Sequence, residues 1–428
     1  MSGGRQRFHC EVALVEGRLA ERVRVEVLDG AVVGIAAGVP PQSGDVVLTT
    51  VVPGFANAHS HAFHRELRGR THASGGDFWQ WRHRMYDVAN RLTPDGYHLV
   101  AERVFTEMRD AGYTAVGEFH YLHHQPDGTP YGGHEMELAL AAAAASAGVR
   151  LVLLDACYLS GGVNEPLREE QQRFGDGDAH RWLDRWHRLR DVLSGQGNGL
   201  VTLGAAIHSV RAVSRSDLAV IAGGLPREVP LHAHVSEQPA ENQACLEAYG
   251  LTPIALLAEH GLVSGRFSAV HATHLSTGDI SLLGEAGATI VMCPTTEADL
   301  GDGIGPAPEL QAAGARLAIG SDQHVVIDPL EELSRLEFDQ RLRLQRRGVF
   351  PPDTLWAAGT VSGYESLGLS GSLGSPPGLR VGEPWDAVEI DTTSARLRGV
   401  DPWQLPLAAR ACDVRATIVG GRLTRPGR

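Results

Sequence analysis

Two periodicities divide the chain. Near its start, apolar and polar residues alternate at period two through residues 10–15, 22–28 and 31–35, with Asp29-Gly30 as the hairpin signal. The same texture returns at residues 386–391 and 414–421, which predicts that both ends meet in one small β domain. Between them, apolar runs alternate with amphipathic stretches, the pattern of parallel strands joined by crossover helices. Helices are predicted over residues 99–111, 135–147, 242–260 and 330–346. Eight strand candidates end in Asn57-Ala58-His59-Ser60-His61, Gly117-Glu118-Phe119-His120, Leu154-Asp155, Ala206-Ile207-His208, His232-Ala233-His234, Val270-His271, Met292-Cys293-Pro294-Thr295 and Ile319-Gly320-Ser321-Asp322. Eight such units predict an α/β fold, a (β/α)8 TIM barrel, whose catalytic groups sit at the C-terminal ends of its strands. Nearly every candidate carries a polar or ionisable residue there. Residues 161–177 and 368–378 are turn-rich and without period.

Length adds a bound: 428 residues fit one large domain with an appendage, or two domains. We expect a barrel over residues 53–377 and a composite β domain from residues 1–52 plus 378–428. No apolar run approaches the roughly 18 residues that span a bilayer. The basic start, Met1-Ser2-Gly3-Gly4-Arg5-Gln6-Arg7, has no hydrophobic region behind it, so a cytoplasmic, membrane-free protein is expected. Five scattered cysteines without a CxxC read as free thiols in a reducing compartment. A net charge of −13 argues against a nucleic-acid partner. The chain contains no lysine, so all 38 basic residues are arginines. Schiff-base chemistry, a P-loop lysine and a carboxylated lysine bridging two metals are all excluded.

The candidate chemistry starts at His59 and His61. In an extended chain residues i and i+2 project from one face, so both imidazoles can aim at one point. With His234 from strand five and Asp322 from strand eight they make a donor set suited to Zn²⁺ or Fe²⁺, with a position left for water. Such an ion lowers the pKa of bound water from about 15.7 toward about 7. His232-Ala233-His234 is a second HxH, of which one histidine need be a ligand. Glu237, three residues after His234, can shuttle a proton between water and a leaving nitrogen. His271 can hold the attacking oxygen or polarise the substrate, while His274 reads as packing.

These motifs, HxH after strand one, His then Glu after strand five, His after strand six and Ser321-Asp322 after strand eight, resemble the amidohydrolase superfamily. Within it they are similar to the mononuclear aminohydrolase branch, which lacks the carboxylated lysine. Phe78-Trp79-Gln80-Trp81-Arg82-His83-Arg84-Met85-Tyr86, Glu118-Phe119-His120-Tyr121-Leu122-His123-His124, Ile207-His208-Ser209-Val210-Arg211 and Cys293-Pro294-Thr295-Thr296-Glu297-Ala298-Asp299-Leu300-Gly301-Asp302-Gly303 more narrowly resemble formimidoylglutamate deiminases. The resemblance implies a metal-dependent hydrolase barrel with a small β-sandwich domain. It also implies one Zn²⁺ per chain on His59, His61, His234 and Asp322, and a homodimer of the histidine-degradation pathway. The implied reaction takes the small anionic substrate N-formimidoyl-L-glutamate to N-formyl-L-glutamate and ammonia. Glu237 would relay protons, His271 orient hydroxide, and Asp322 accept a proton as well as bind the ion.

The residues make independent sense for that substrate, since a dicarboxylate demands cations. Arg82 and Arg211 each offer a fork of N–H donors. By resemblance Tyr121 and His208 complete the pocket, and His64 stands where the family's HxHAFQR stretch has a glutamine that touches substrate. Histidine can donate a similar hydrogen bond. Two other readings stay open: an aminohydrolase for a purine, pterin, triazine or guanidino compound, and a non-catalytic relative. Paired arginines, with Trp79, Trp81 and Arg82 in one loop, count against the first, and a full ligand set plus Glu237 against the second.

Overall fold

Gly54 is the point at which the chain passes from one sheet to another. The computed structural model describes residues 4–71, 78–195, 199–369 and 379–427. The expected domain boundary at residues 377 and 378, and the side chain of Trp79, lie outside the described residues. Before Gly54 come β1 (Gln6–Val15), β2 (Arg18–Leu28), β3 (Ala31–Ala36) and β4 (Val46–Pro53). After it come the eight barrel strands: β5 (Phe55–Ser60), β6 (Tyr113–His120), β7 (Arg150–Cys157), β8 (Val201–Ile207), β9 (Leu231–Val235), β10 (Phe267–His271), β11 (Thr289–Met292) and β12 (Arg316–Ile319). The chain then returns through β13 (Ala387–Ile390), β14 (Val414–Val419) and β15 (Arg422–Thr424). A side chain at position 54 would drive its Cβ to 2.1 Å from Thr114 Oγ1, so the crossing is tight enough to require glycine.

The terminal strands form one seven-stranded sheet in the order β15-β14-β13-β4-β1-β2-β3. All neighbours are antiparallel except β1 and β4. Asp29 and Gly30, both at positive φ, make the β2–β3 turn. Its own core gathers Phe8, Val23, Val25, Leu48 and Ile418 around the fully buried Trp385. Asp386 fastens this layer to the barrel, accepting from Arg150 at 2.5 Å and from the Tyr364 hydroxyl at 3.2 Å.

The barrel strands run in sequence order and every neighbouring pair is parallel. Closure comes beyond the end of β12. Asp322 N donates to His59 O at 3.0 Å, and His61 N to Asp322 O at 3.1 Å. The barrel is therefore sealed by the candidate ligands themselves.

Three predicted helices appear, as Pro94–Asp110, Glu135–Ala147 and Pro329–Leu344. The first and last are capped at their N-termini by Thr93 and Asp328 side chains. The predicted helix over residues 242–260 is instead two, Pro239–Tyr249 and Pro253–Glu259. Gly250, at φ +69°, stops the first, and Thr252-Pro253 caps and starts the second. The turn-rich stretch 161–177 holds one 3-10 segment, Glu169–Phe174. Among the described residues, no helix is long and apolar enough to cross a membrane.

Candidate active site

Strand parity decides what faces the barrel mouth. His59 and His61 point inward from β5 and its end, as do Phe119 and Tyr121 from β6 and His232 and His234 from β9. His234 Nε2 lies 3.1 Å from His59 Nε2 and 3.3 Å from His61 Nε2. Asp322 Oδ1 lies 3.3 and 3.5 Å from the same two nitrogens. Ligands of one ion with bonds of about 2.0–2.1 Å sit about 3–3.5 Å apart, so His59, His61 and His234, with Asp322 against the first two, can share one metal. The remaining ring nitrogens agree. His61 Nδ1 bonds Phe119 O at 2.8 Å and His234 Nδ1 bonds His208 O at 2.9 Å. A proton on each Nδ1 leaves the Nε2 lone pairs turned toward one another, the arrangement of metal-binding imidazoles.

Electrostatics point the same way. Burial, with the neighbouring rings, holds His59 and His234 well below the usual histidine range. Burial takes His61 down to about 4, against the pull of Asp322. All three imidazoles are therefore neutral and able to ligate at physiological pH. His271 is the contrast. Burial lowers it, but Glu237, Glu297 and Asp322 carry it up to about 10. Its Nε2 lies 3.8 Å from Glu237 Oε1 and 3.9 Å from Asp322 Oδ2, and its Nδ1 lies 3.4 Å from Glu297 Oε1. His271 and Asp322 both adopt positive φ, at 67° and 42°, as do Ser236, Ala272 and His324. Such strained backbone gathers at functional sites.

The cavity above these groups measures about 60 Å³ and is lined by His61, His64, Arg82, Tyr121, His208, Arg211, His234, Glu237, His271 and Asp322. His59 lies beneath, fully buried. Every candidate site residue is thus in one place. His64, on the 3-10 turn Ala62–Leu67, bonds the Tyr121 hydroxyl through Nε2 at 3.0 Å, and its ring packs 4.5 Å from that of His61. Arg82 donates to the Tyr86 hydroxyl at 2.6 Å from the helix Phe78–Arg91. The His208 ring packs 4.2 Å from Tyr158. Arg211 Nη2 reaches to 3.8 Å from Glu237 Oε2.

Residues 50–424 match the Amidohydrolase family. The chain belongs to the amidohydrolase family. A formimidoylglutamate deiminase from Pseudomonas aeruginosa is 36% identical to it, over 98% of this chain and 94% of that protein. A 5-methylthioadenosine/S-adenosylhomocysteine deaminase from Syntrophobacter fumaroxidans is 28% identical, over 90% and 82%. Among solved structures, an amidohydrolase from Brucella melitensis superposes with a TM-score of 0.90 at 35% identity, covering 99% of this chain and 95% of that one. As an amidohydrolase with such relatives, the protein is a hydrolase acting on C–N bonds.

Within this amidohydrolase, several contacts escape a reading of motifs. Glu118 accepts from Ser60 Oγ at 2.5 Å and from Ala62 N at 2.6 Å, which pins the turn presenting His61. Glu297 accepts from Cys293 N at 2.8 Å while facing His271. Tyr158, just past β7, takes the mouth position expected of Asp155. His232, one pleat deeper than His234, is held by Ser366 O at 2.9 Å, which resolves the second HxH in favour of His234. His274 contacts Asp302 O at 2.8 Å and packs.

His120 and Asp155 correct the expectation that strand-end polar groups face the mouth. Both have outward parity and join a buried charge network on the helix side. Asp155 accepts from Arg185 at 2.8 and 2.9 Å, and from Trp182 Nε1 at 2.8 Å. Glu137 lies 3.0 Å from His123 Nδ1 and 3.4 Å from His120 Nε2. Burial and Arg185 lower His123, but Asp155 and Glu137 raise it overall above 6.5. A raised folded-state histidine contributes stability that is complete below its unfolded value and lost as pH climbs through the folded one. Stability against thermal unfolding is therefore expected to fall above about pH 6.5. In His123→Gln that alkaline slope should shrink; an unchanged slope would show His123 is neutral when folded.

Proposed function

We propose that this amidohydrolase hydrolyses N-formimidoyl-L-glutamate to N-formyl-L-glutamate and ammonia, with one Zn²⁺ on His59, His61, His234 and Asp322. The observation that carries the reading is the pair of guanidiniums, Arg82 and Arg211, on the wall of a cavity that His61, His234 and Asp322 also line. Two carboxylates are the natural partners of two arginine forks. The 36% identity to a formimidoylglutamate deiminase over nearly the whole chain supports it. We also propose a cytoplasmic homodimer acting in histidine degradation, with the barrel spanning residues 53–377.

A zinc ion bound there supplies Lewis-acid activation of water at neutral pH. The chain does the rest. Arg82 and Arg211, with Tyr121 and His208, hold the acidic tail and aim the formimidoyl carbon at the floor. His64 reaches the same space from the turn after β5. Glu237, within the cavity, takes a proton from the attacking water and passes it to the amidine nitrogen, which departs as ammonia. His271, kept protonated by three carboxylates, donates through Nε2 to the attacking oxygen and orients it. Asp322 Oδ2, 3.9 Å from that nitrogen, is placed to accept the second proton. Water adds across the C=N bond, the second water proton is returned from Asp322 to the resulting –NH2 group, and the C–N bond breaks to release ammonia and leave the formyl C=O.

The test is ammonia release from N-formimidoyl-L-glutamate by zinc-loaded protein, beside the N-formimidoyl-L-aspartate analogue and adenosine. Turnover of the glutamate compound over both controls is expected. Failure on both formimidoyl compounds sinks the reading, and turnover of adenosine alone moves the protein among the nucleoside deaminases.

A further inference from the structure

Arg211 is shared by two cavities. Besides the active-site space it lines a neighbouring cavity of about 320 Å³, together with Gln238 and Glu241. Its Nε lies 3.6 Å from Glu241 Oε2 and its Nη2 lies 3.8 Å from Glu237 Oε2. One guanidinium thus stands between two carboxylates, four residues apart, of which Glu237 faces the reacting carbon. Glu241 is 1% exposed, in the first turn of the helix Pro239–Tyr249. Among the described residues its oxygens meet no side-chain hydrogen-bond donor, only the backbone N–H of Ser236, and Arg211 Nε finds no partner. A carboxylate buried so deeply is costly unless a cation answers it. Among the described residues, Arg211 is the cation within 4 Å.

We propose that Glu241 is a positioning residue that holds Arg211 on the carboxylate-binding wall and off Glu237. This rests on the functional reading above. Without the Glu241 charge, Glu237 is the remaining carboxylate beside Arg211, and the guanidinium closes onto it. The arriving substrate then has to break that ion pair before its own carboxylate reaches Arg211. Once bound, Glu237 is free again, so the penalty falls on KM and spares kcat. Burial pushes the Glu241 carboxyl up to about 7, against the pull of Arg211, so the pair is fully charged on the alkaline side.

The experiment compares wild type, Glu241→Gln, Arg211→Ala and the double variant as zinc-loaded proteins at about pH 8, well above that carboxyl. Glu241→Gln is expected to raise KM for N-formimidoyl-L-glutamate about tenfold, roughly the effect of losing one charge-assisted contact, with kcat within about twofold. Glu241→Asp should recover part of the loss. In the Arg211→Ala background the same change should alter KM less than about twofold. A tenfold rise persisting there, or a fall in kcat instead of a rise in KM, overturns the proposal. If wild type does not turn the substrate over, the functional reading fails by itself. The pair is then judged by melting temperature: Glu241→Gln should raise it more in Arg211→Ala than in wild type. Equal shifts in both backgrounds overturn the positioning role.

Discussion

Glu237→Gln is expected to bind a full equivalent of zinc and to lose turnover by about 10²–10⁴-fold, the usual worth of a positioned general acid–base. Glutamine keeps the size of the side chain and its ability to contact Arg211 and His271. It cannot take up a proton at neutral pH. Glu237 is 8% exposed and holds 3.8 Å separations to both neighbours, so the substitution leaves the cavity packed as before. It also lies outside the set of four donors, and metal content is the internal control. Ammonia release and zinc content measured on one preparation decide the matter. Turnover within about tenfold of wild type would move proton transfer to Asp322 or His271.

The barrel was legible because a buried parallel strand is a continuous apolar run that stops abruptly at a polar group. All eight runs become strands, and the histidine pair after the first sits where period-two geometry puts it. Parity is also where a reading by strand ends falls short. His120 and Asp155 are polar and close to the mouth in sequence, yet each is one residue out of phase with the inward face. They serve the Arg185 network, while the neighbours Tyr121 and Tyr158 take the inward places. Phase can be read only once one inward residue is known. In β6 the run Phe119-His120-Tyr121 offers no such anchor. The break at Gly250 within residues 242–260 was signalled by Gly-Leu-Thr-Pro, and helical periodicity on either side masked it. Glu118, Glu241 and Glu297 were out of reach for another reason. Each acts across tens of residues on a ligand turn, an arginine or a histidine, and no spacing encodes such contacts. Glu118 meets Ser60 58 positions away.

Loss of the metal site should have the opposite signature from loss of Glu237. His61→Ala is expected to abolish both tight zinc binding and turnover, whereas chelated wild-type protein should recover fully when zinc is returned. His61 supplies one corner of the donor set, 3.3 Å from His234 Nε2 and 3.5 Å from Asp322 Oδ1. Its removal leaves three donors and an opening that water fills. The fold should survive in His61→Ala, because the seam that closes the barrel uses backbone groups of residues 59, 61 and 322 and needs no imidazole. Zinc then appears as a ligand that stabilises the native state by mass action. Wild-type melting temperature should rise with added zinc, while that of the variant should respond weakly. A variant that retains stoichiometric zinc would show that His64 or His271, whose ring nitrogens also lie within 4.8 Å of the Asp322 carboxylate, can replace the missing corner. Asp322, which the His64 and His271 groupings share, would then be the residue on which metal binding turns.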